Sequence, residues 1–386
     1  MPTKSKSLAM LYPAALTPGM MLVLPGSTLP AIMDAFALDK PSAGYINSFF
    51  FAGALIGMLL VSDLVRIFGA RAALIIASVT VGISLSCMPL ADTYPLLLGV
   101  FMTAGISFGV LVTLPGVVVS GVMGESGGGA MNFVYSFFAL GVMSAPMAAS
   151  RLLESGRQWW VPFLMPVAPV ILVAVGTAVF GLPEIEKPTG LSVRAFSKLK
   201  KHRALFTGCV VGVLLYVASE ASLCFWIPKY LLDTFPDQVD IGQASRSLTW
   251  FWAGLTVGRA AATPILKRTE PATFLIAITV PGAICIAVTP HIGGVLPVLI
   301  GFTLAGAFYA AMYPTLVSYS GKLSPELAPL AFSLMTAAGQ VGAITLTPAI
   351  GHAAAKMPFA WAMSLAAIPI AALALMVAIL KHKKIF

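Results

Sequence analysis

The sequence predicts an all-α polytopic membrane protein, with twelve transmembrane helices in two six-helix bundles. Three observations carry that prediction. Of the 386 residues, 59% are hydrophobic and only 10% charged, against about 25% charged in ordinary soluble domains. Apolar stretches near the ~20 residues needed to cross a ~30 Å hydrocarbon core recur along the chain. The chain also repeats itself. Ser48-Phe-Phe-Phe-Ala-Gly53-Ala-Leu-Ile-Gly57 is echoed by Thr249-Trp-Phe-Trp-Ala-Gly254-Leu-Thr-Val-Gly258, and the pairs Gly53/Gly254, Gly105/Gly306 and Gly141/Gly342 share one offset of 201 positions. In so apolar a chain, two copies of one large unit point to a two-bundle transporter with its site between the halves.

Taken in order, the apolar stretches predict spans over 8–34, 42–63, 70–90, 94–122, 130–150 and 159–182, then 204–232, 243–266, 271–290, 293–320, 327–350 and 357–380. The first is too long for a signal peptide and lacks a convincing small-residue cleavage site, so it is expected to remain as a helix. The 28 prolines and 35 glycines fit, because both residues are commoner in membrane helices than in soluble ones. Connections are short except at 183–203, where Pro183-Glu-Ile-Glu-Lys-Pro-Thr-Gly190 leads to the basic run Lys200-Lys-His-Arg203. This divides the chain into an N-terminal bundle (1–182), a cytoplasmic linker (183–203) and a C-terminal bundle (204–386). Gly127-Gly-Gly129 marks a flexible turn. Gly53/Gly57 and Gly254/Gly258 are small-x-x-x-small pairs that let helix backbones approach closely.

The net charge of +9 is distributed as the positive-inside rule requires. Basic residues gather at Lys4 and Lys6, Arg66 and Arg71, Lys187 to Arg203, Lys267 and Arg268, and Lys381 to Lys384. Both termini are therefore expected in the cytoplasm, in a bacterial inner membrane. Lipid headgroups rather than nucleic acid are the expected partners of these residues, and the chain is expected to act as a monomer. The four cysteines, Cys87, Cys209, Cys224 and Cys285, fall singly in apolar stretches, so no disulfide framework or metal site is expected. No phosphate-cradling loop is present, which argues against ATP as the energy source. Without a nucleophile–base set, neither enzymatic activity nor a cofactor is expected.

Glu220 is the strongest candidate functional residue. It lies well inside the seventh span, where an acidic side chain is unfavourable by about 2.5–3.5 kcal/mol. Such a group has a partner or lines a wet cavity, and can carry a proton between the two faces or hold a solute; it can also be a hydrogen-bonded packing residue. Tyr216, one turn earlier, can donate to it. On the eleventh span Ser333, Thr336, Gln340 and Thr347 form one polar stripe, which should face the bundle interior and bind either a ligand or another helix. Trp226, Trp252, Tyr309 and Tyr313 supply aromatic surfaces suited to a sugar or another ringed polar solute, or they anchor at the membrane interface. Asn47 and Asn132 are further substrate-binding candidates, or helix bridges. In the turn Asp63-Leu-Val-Arg66-Ile-Phe-Gly69-Ala-Arg71, an acid meets two bases across a glycine. This can latch one face of a transporter, or be a solvated turn.

With these residues in hand, the chain resembles the major facilitator superfamily over nearly its whole length, through the two six-helix halves and the Asp63…Gly69-Ala-Arg71 turn. Finer similarity is to the fucose/glucose/galactose–proton symporter branch. Tyr216-Val-Ala-Ser-Glu220 resembles its Tyr-Val-x-x-Glu pattern. Trp250-Phe-Trp252-Ala-Gly254-Leu-Thr-Val-Gly258-Arg259 resembles its Trp-x-x-Gly-x-x-x-Gly-Arg pattern. Asn132, Gly141 and Pro146 follow its fifth helix, and Tyr313-Pro-Thr315 its tenth. The resemblance implies a secondary transporter of a small polar, sugar-like solute, coupled to protons, with Asp63, Arg66, Gly69, Arg71 and Arg259 in gating roles. The chain departs from that branch in having no acid in its fourth span and only Asp34 at the outer end of its first. Gly141-Val-Met-Ser-Ala-Pro146 also looks like a degraded antiporter motif, which leaves a proton-driven exporter of drugs or metabolites as the alternative. A receptor that binds without translocating is the remaining class.

Overall fold

The computed structural model describes residues 9–123, 128–185, 202–319 and 328–386. Most of the predicted linker, the start of the glycine turn and the basic N-terminal residues lie outside them. Among the described residues every regular element is helical. In chain order these are α1 (Leu11–Ser27), α2 (Leu29–Phe36), α3 (Lys40–Ser86), α4 (Tyr94–Met123), α5 (Gly128–Glu154) and α6 (Val167–Phe180). After the linker come α7 (Arg203–Thr234), α8 (Ile241–Leu266), α9 (Pro271–Val288), α10 (Val295–Tyr309), α11 (Met312–Ser318), α12 (Ala328–Ala354), α13 (Phe359–Ser364) and α14 (Ala367–His382).

Eight of the described helices are long and apolar enough to cross a bilayer, or nine if α1 and α2, bent by 54°, form one span. The 47-residue α3 is about 70 Å long, enough for two crossings. It breaks at Gly69 (φ 81°, ψ 160°), a left-handed conformation that a residue without Cβ adopts at little cost. α8 and α12, which carry more polar residues, complete twelve crossings among the described residues. Large aliphatic side chains such as Leu90, Val179, Val257 and Leu375 are left exposed, as lipid-facing surfaces require.

The chain divides into two compact units. One comprises Met1–Ala37 with Phe49–Gly190, the other Leu38–Ser48 with Leu191–Phe386. The 1–182 boundary drawn from the sequence misses this detail, since the first residues of α3 group with the second unit. Asn47 and Ser48 explain why, as described below.

The duplication is visible atom by atom. In the first unit a Cβ at Gly53 would strike the carbonyl of Met102, one at Gly57 that of Ile106, and one at Gly105 that of Phe50. In the second unit Gly254 abuts the carbonyl of Thr303, Gly258 that of Ala307, and Gly306 that of Phe251. Each contact has its counterpart 201 positions on. Gly141 of α5 lies against the Leu16 carbonyl of α1, and Gly342 of α12 against the Leu214 carbonyl of α7, a similar contact whose carbonyls fall three positions short of that offset. α1 packs on α5, and α7 on α12. Glycine at these positions lets backbones meet without intervening side chains, the contact on which membrane helix pairs depend.

Several spans predicted as single helices are interrupted, and proline accounts for two breaks. A proline has no N–H to give the carbonyl four residues earlier. Pro314 therefore leaves the carbonyl of Ala310 without its helical donor, and α10 ends at Tyr309 before α11 begins at Met312. Pro369 removes the same donor from Leu365, whose carbonyl instead accepts from the Ile368 N–H at 3.1 Å, at the junction of α13 and α14.

Candidate functional site

The polar residues of the second unit converge around α7. Tyr216, Glu220 and Cys224 follow one another at spacings of four, with Ser219 three after Tyr216, which places them along one side of that helix. Glu220 is surrounded by protein yet retains some accessible surface, the combination expected of a group lining an internal cavity. The Tyr216 hydroxyl donates to its Oε1, and the Arg259 guanidinium of α8 lies within electrostatic range. Arg259, expected at a gate, is exposed and is the cation that acts on Glu220. A basic residue inside an apolar span is as notable a signal as the glutamate.

Around this pair stand three tyrosines. Tyr216 lies 5.6 Å from Tyr309 and 5.9 Å from Tyr313, between ring centroids. Tyr309 is fully buried, and its hydroxyl is 2.5 Å from Ser219 Oγ. Ser219 donates its own proton to the carbonyl of Ala366, so Tyr309 is the donor between them. This fixes the Tyr309 ring, and Ser219, which the sequence reading passed over, is the residue that holds it. The hydroxyls of Tyr313 and Thr336 are 3.0 Å apart. Trp252 faces the Cys224 thiol on the same side of α7.

The predicted stripe on α12 splits into three fates. Thr336 and Gln340 join the tyrosine cluster: Gln340 donates Nε2–H to the Thr336 carbonyl at 3.1 Å, while its Oε1 is buried without a hydrogen-bond partner. Thr347 is committed to packing, for its hydroxyl accepts from Asn47 Nδ2 at 3.0 Å and meets Ser222 Oγ at 3.0 Å. Ser333 is exposed. Asn47 is thus a helix bridge. Next to it Ser48 donates to the carbonyl of Ile344 at 2.7 Å, the carbonyl that Pro348 leaves without a helical donor. Trp226 is completely buried, with its N–H given to the Thr347 carbonyl at 2.9 Å. It packs edge-on to Phe359 and presents no surface to a solute here. Asn132 lies on α5, with its side chain outside the described residues.

The turn in the first unit is simpler than expected. Arg66 pairs with Asp63 at 2.6 Å, both half-exposed, a pair worth little in stability. Arg71 does not join them. It donates to the carbonyl of Ala178 at 2.6 Å, in the last turn of α6, where helix carbonyls lack donors and a cation is favoured. Gly69 supplies the bend that carries Arg71 there.

Comparison with known proteins gives the family and the fold. The Major Facilitator Superfamily profile matches residues 11–344. The glucose/mannose transporter GlcP of Bacillus subtilis is 20% identical over 350 residues, covering 88% of this chain and 86% of that protein. Among solved structures, the Escherichia coli fucose:proton symporter FucP aligns over 96% of this chain and 98% of its own at 20% identity, with a TM-score of 0.67. The nucleoside transporter NupG aligns over 98% and 99% at 13% identity, with a TM-score of 0.78.

Proposed function

The chain belongs to the Major Facilitator Superfamily, and on that premise we propose that it is a proton-coupled transporter of a small, ringed, polyhydroxylated solute, with Glu220 as its proton carrier. It is a multi-pass membrane transporter, not an enzyme. The observation that carries the finer reading is the placement of Glu220 beside Arg259 and Tyr216, in one cluster with the unpartnered Gln340 carbonyl.

The chemistry follows from what each group lacks. A buried acceptor without a donor costs about 1–3 kcal/mol, and a solute hydroxyl placed against Gln340 Oε1 removes that penalty. Tyr313 and Thr336 can donate and accept in turn, and Tyr313, with Trp252 beside the cluster, offers a face on which the C–H surface of a sugar ring packs. GlcP takes glucose and mannose, FucP fucose with a proton, and NupG nucleosides, all ringed solutes carrying several hydroxyls. Ionised Glu220 attracts Arg259 and accepts from Tyr216. Protonated Glu220 does neither as strongly, so the charge on one carboxyl alters the geometry that meets the solute.

Transport proceeds by alternating access, with 1–182 and 204–386 as its halves and 183–203 as the linker. Basic residues at the termini and turns hold these on the cytoplasmic face of the inner membrane against anionic headgroups. One chain carries both copies of the repeat, and a monomer suffices.

The test is uptake by the purified protein in proteoliposomes of glucose, mannose, fucose, xylose and uridine, with and without an inward proton gradient. Gradient-stimulated uptake of one of them, reduced at least about tenfold by Glu220→Gln, is the expected result. Full uptake by Glu220→Gln, equally stimulated by the gradient, refutes proton carriage by this residue.

A further inference from the structure

The reading of Glu220 does not say how its charge reaches the residues that meet the solute. A second contact of Arg259 supplies a route. Its Nε donates to the carbonyl of Ala310 at 3.3 Å, the same carbonyl that Pro314 leaves without a helical partner. The guanidinium therefore holds the carbonyl at the break between α10 and α11 while lying within electrostatic range of a carboxyl on α7. Tyr309 ends the helix before that break, and Tyr313 lies in the first turn after it. Tyr309 is tied down through Ser219 and Ala366. Tyr313 belongs to the short helix α11 and reaches Thr336, whose carbonyl receives Gln340.

From this arrangement, and resting on the proton-carrier reading of Glu220, we infer that Arg259 is a positioning residue that transmits the charge state of Glu220 to the Ala310–Ala311 break and thereby sets the placement of Tyr313 and α11. An arginine suits the task because its planar head offers five donors in a fixed fork. Nε can hold the carbonyl while the terminal nitrogens answer the carboxylate. While Glu220 is ionised, the guanidinium is oriented from both sides and the break is pinned. When Glu220 is neutral, that orientation is lost and α11 is released. Proline is integral to the device, since a residue with an N–H at 314 would compete with Arg259 for the Ala310 carbonyl and close the helix there. The titratable and charged groups facing Glu220 among the described residues are Tyr216 and Cys224 on its own helix, Arg259 from α8 and Tyr309 from α10; Tyr313 of α11 meets Tyr216. Arg259 is the cation of the set.

Hydrogen–deuterium exchange of the full chain in lipid nanodiscs at pH 8 reads the relay without a solute. In the parent protein, Glu220→Gln should speed exchange of the amides over 310–318 about tenfold, the equivalent of about one pKa unit of charge–charge interaction. Arg259→Gln should speed it equally, and the double substitution should add nothing further. Pro314→Ala should slow exchange and abolish the response to Glu220→Gln, although it touches neither charge. It also serves as the control for folding, because it restores a helical bond rather than removing one. An unchanged 310–318 segment in Glu220→Gln overturns the relay, as does a response of equal size in the Pro314→Ala or Arg259→Gln background. Those results leave proton carriage by Glu220 standing, which falls only on the uptake test.

Discussion

Replacing Gly254 with alanine tests the duplicated architecture at its tightest point. The added Cβ would fall on the carbonyl group of Thr303, with that carbonyl carbon at 2.8 Å and the Ala307 nitrogen at 3.2 Å. These are backbone atoms of a regular helix, so no rotamer change relieves the clash, and α8 and α10 must part. Parting them also disturbs the reciprocal contact, in which Gly306 lies against the carbonyl of Phe251. Overpacking costs about 1–3 kcal/mol where neighbours can adjust, and a backbone obstacle belongs at the upper end. Alanine returns about 1 kcal/mol of helix propensity over glycine. The net expectation is a loss of about 2 kcal/mol. Gly99→Ala is the matched control, because nothing lies within 4 Å of its added Cβ; there only the propensity gain remains. Thermal unfolding of the purified variants in one detergent, followed by tryptophan fluorescence, should show Gly254→Ala melting lower than the parent and Gly99→Ala no lower. The symmetric variant Gly53→Ala should match Gly254→Ala in direction and rough size, since it meets the equivalent Met102 carbonyl. Parent-like melting of Gly254→Ala would refute the close backbone approach, and with it the claim that both copies pack alike.

Two further outcomes follow from polar contacts. Thr347→Val keeps shape but removes the hydroxyl shared by Asn47 and Ser222; a loss of about 0.6–2 kcal/mol is expected in thermal or denaturant unfolding, whereas Thr347→Ser should retain most of the stability. An unaffected Thr347→Val would show that Asn47 is not anchored there. Asp39, in the connection before α3, accepts from the hydroxyl and backbone N–H of Ser42, which hold its carboxyl below the usual range, with His352 a smaller contributor. Its stabilisation is therefore complete above the unfolded carboxyl pKa of about 3.9 and is lost as pH falls through the lower folded value. Asp39→Ala should be less stable than the parent at pH 7, and the gap should narrow as pH falls below about 3.9; a gap that does not narrow in acid would contradict the assignment.

Much of this was legible in the sequence, for reasons that differ from residue to residue. Apolar runs located the spans because the bilayer demands about twenty such residues wherever a helix crosses. The Gly53/Gly254 offset announced the repeat because close backbone contact tolerates no substitute. Tyr216 and Glu220, four apart on a helix, could be paired by geometry alone. The rest depended on contacts between segments distant in the chain. The influence of Arg259 on Glu220 is not legible, because the two lie 39 positions apart on different helices, beyond any local pattern. Thr347 and Gln340 sit on one predicted stripe, yet one is consumed by Asn47 and the other is not, and only packing decides which. Trp226 resembled a binding platform because exposure cannot be read from residue type. The breaks at 310 and 365 were signalled by Pro314 and Pro369, but proline inside a membrane helix is common enough to be passed over.

The Ile344 carbonyl has a consequence for how this chain can be cut. Pro348 leaves it bare, and the hydroxyl that covers it comes from Ser48, near the beginning of the sequence. A fragment severed at the linker and carrying only residues 202–386 would leave that oxygen, together with the Thr347 hydroxyl now met by Asn47, to find other donors in a medium that has none to offer. The second copy of the repeat is therefore not self-sufficient: it borrows a short piece of the first to close its own hydrogen bonding.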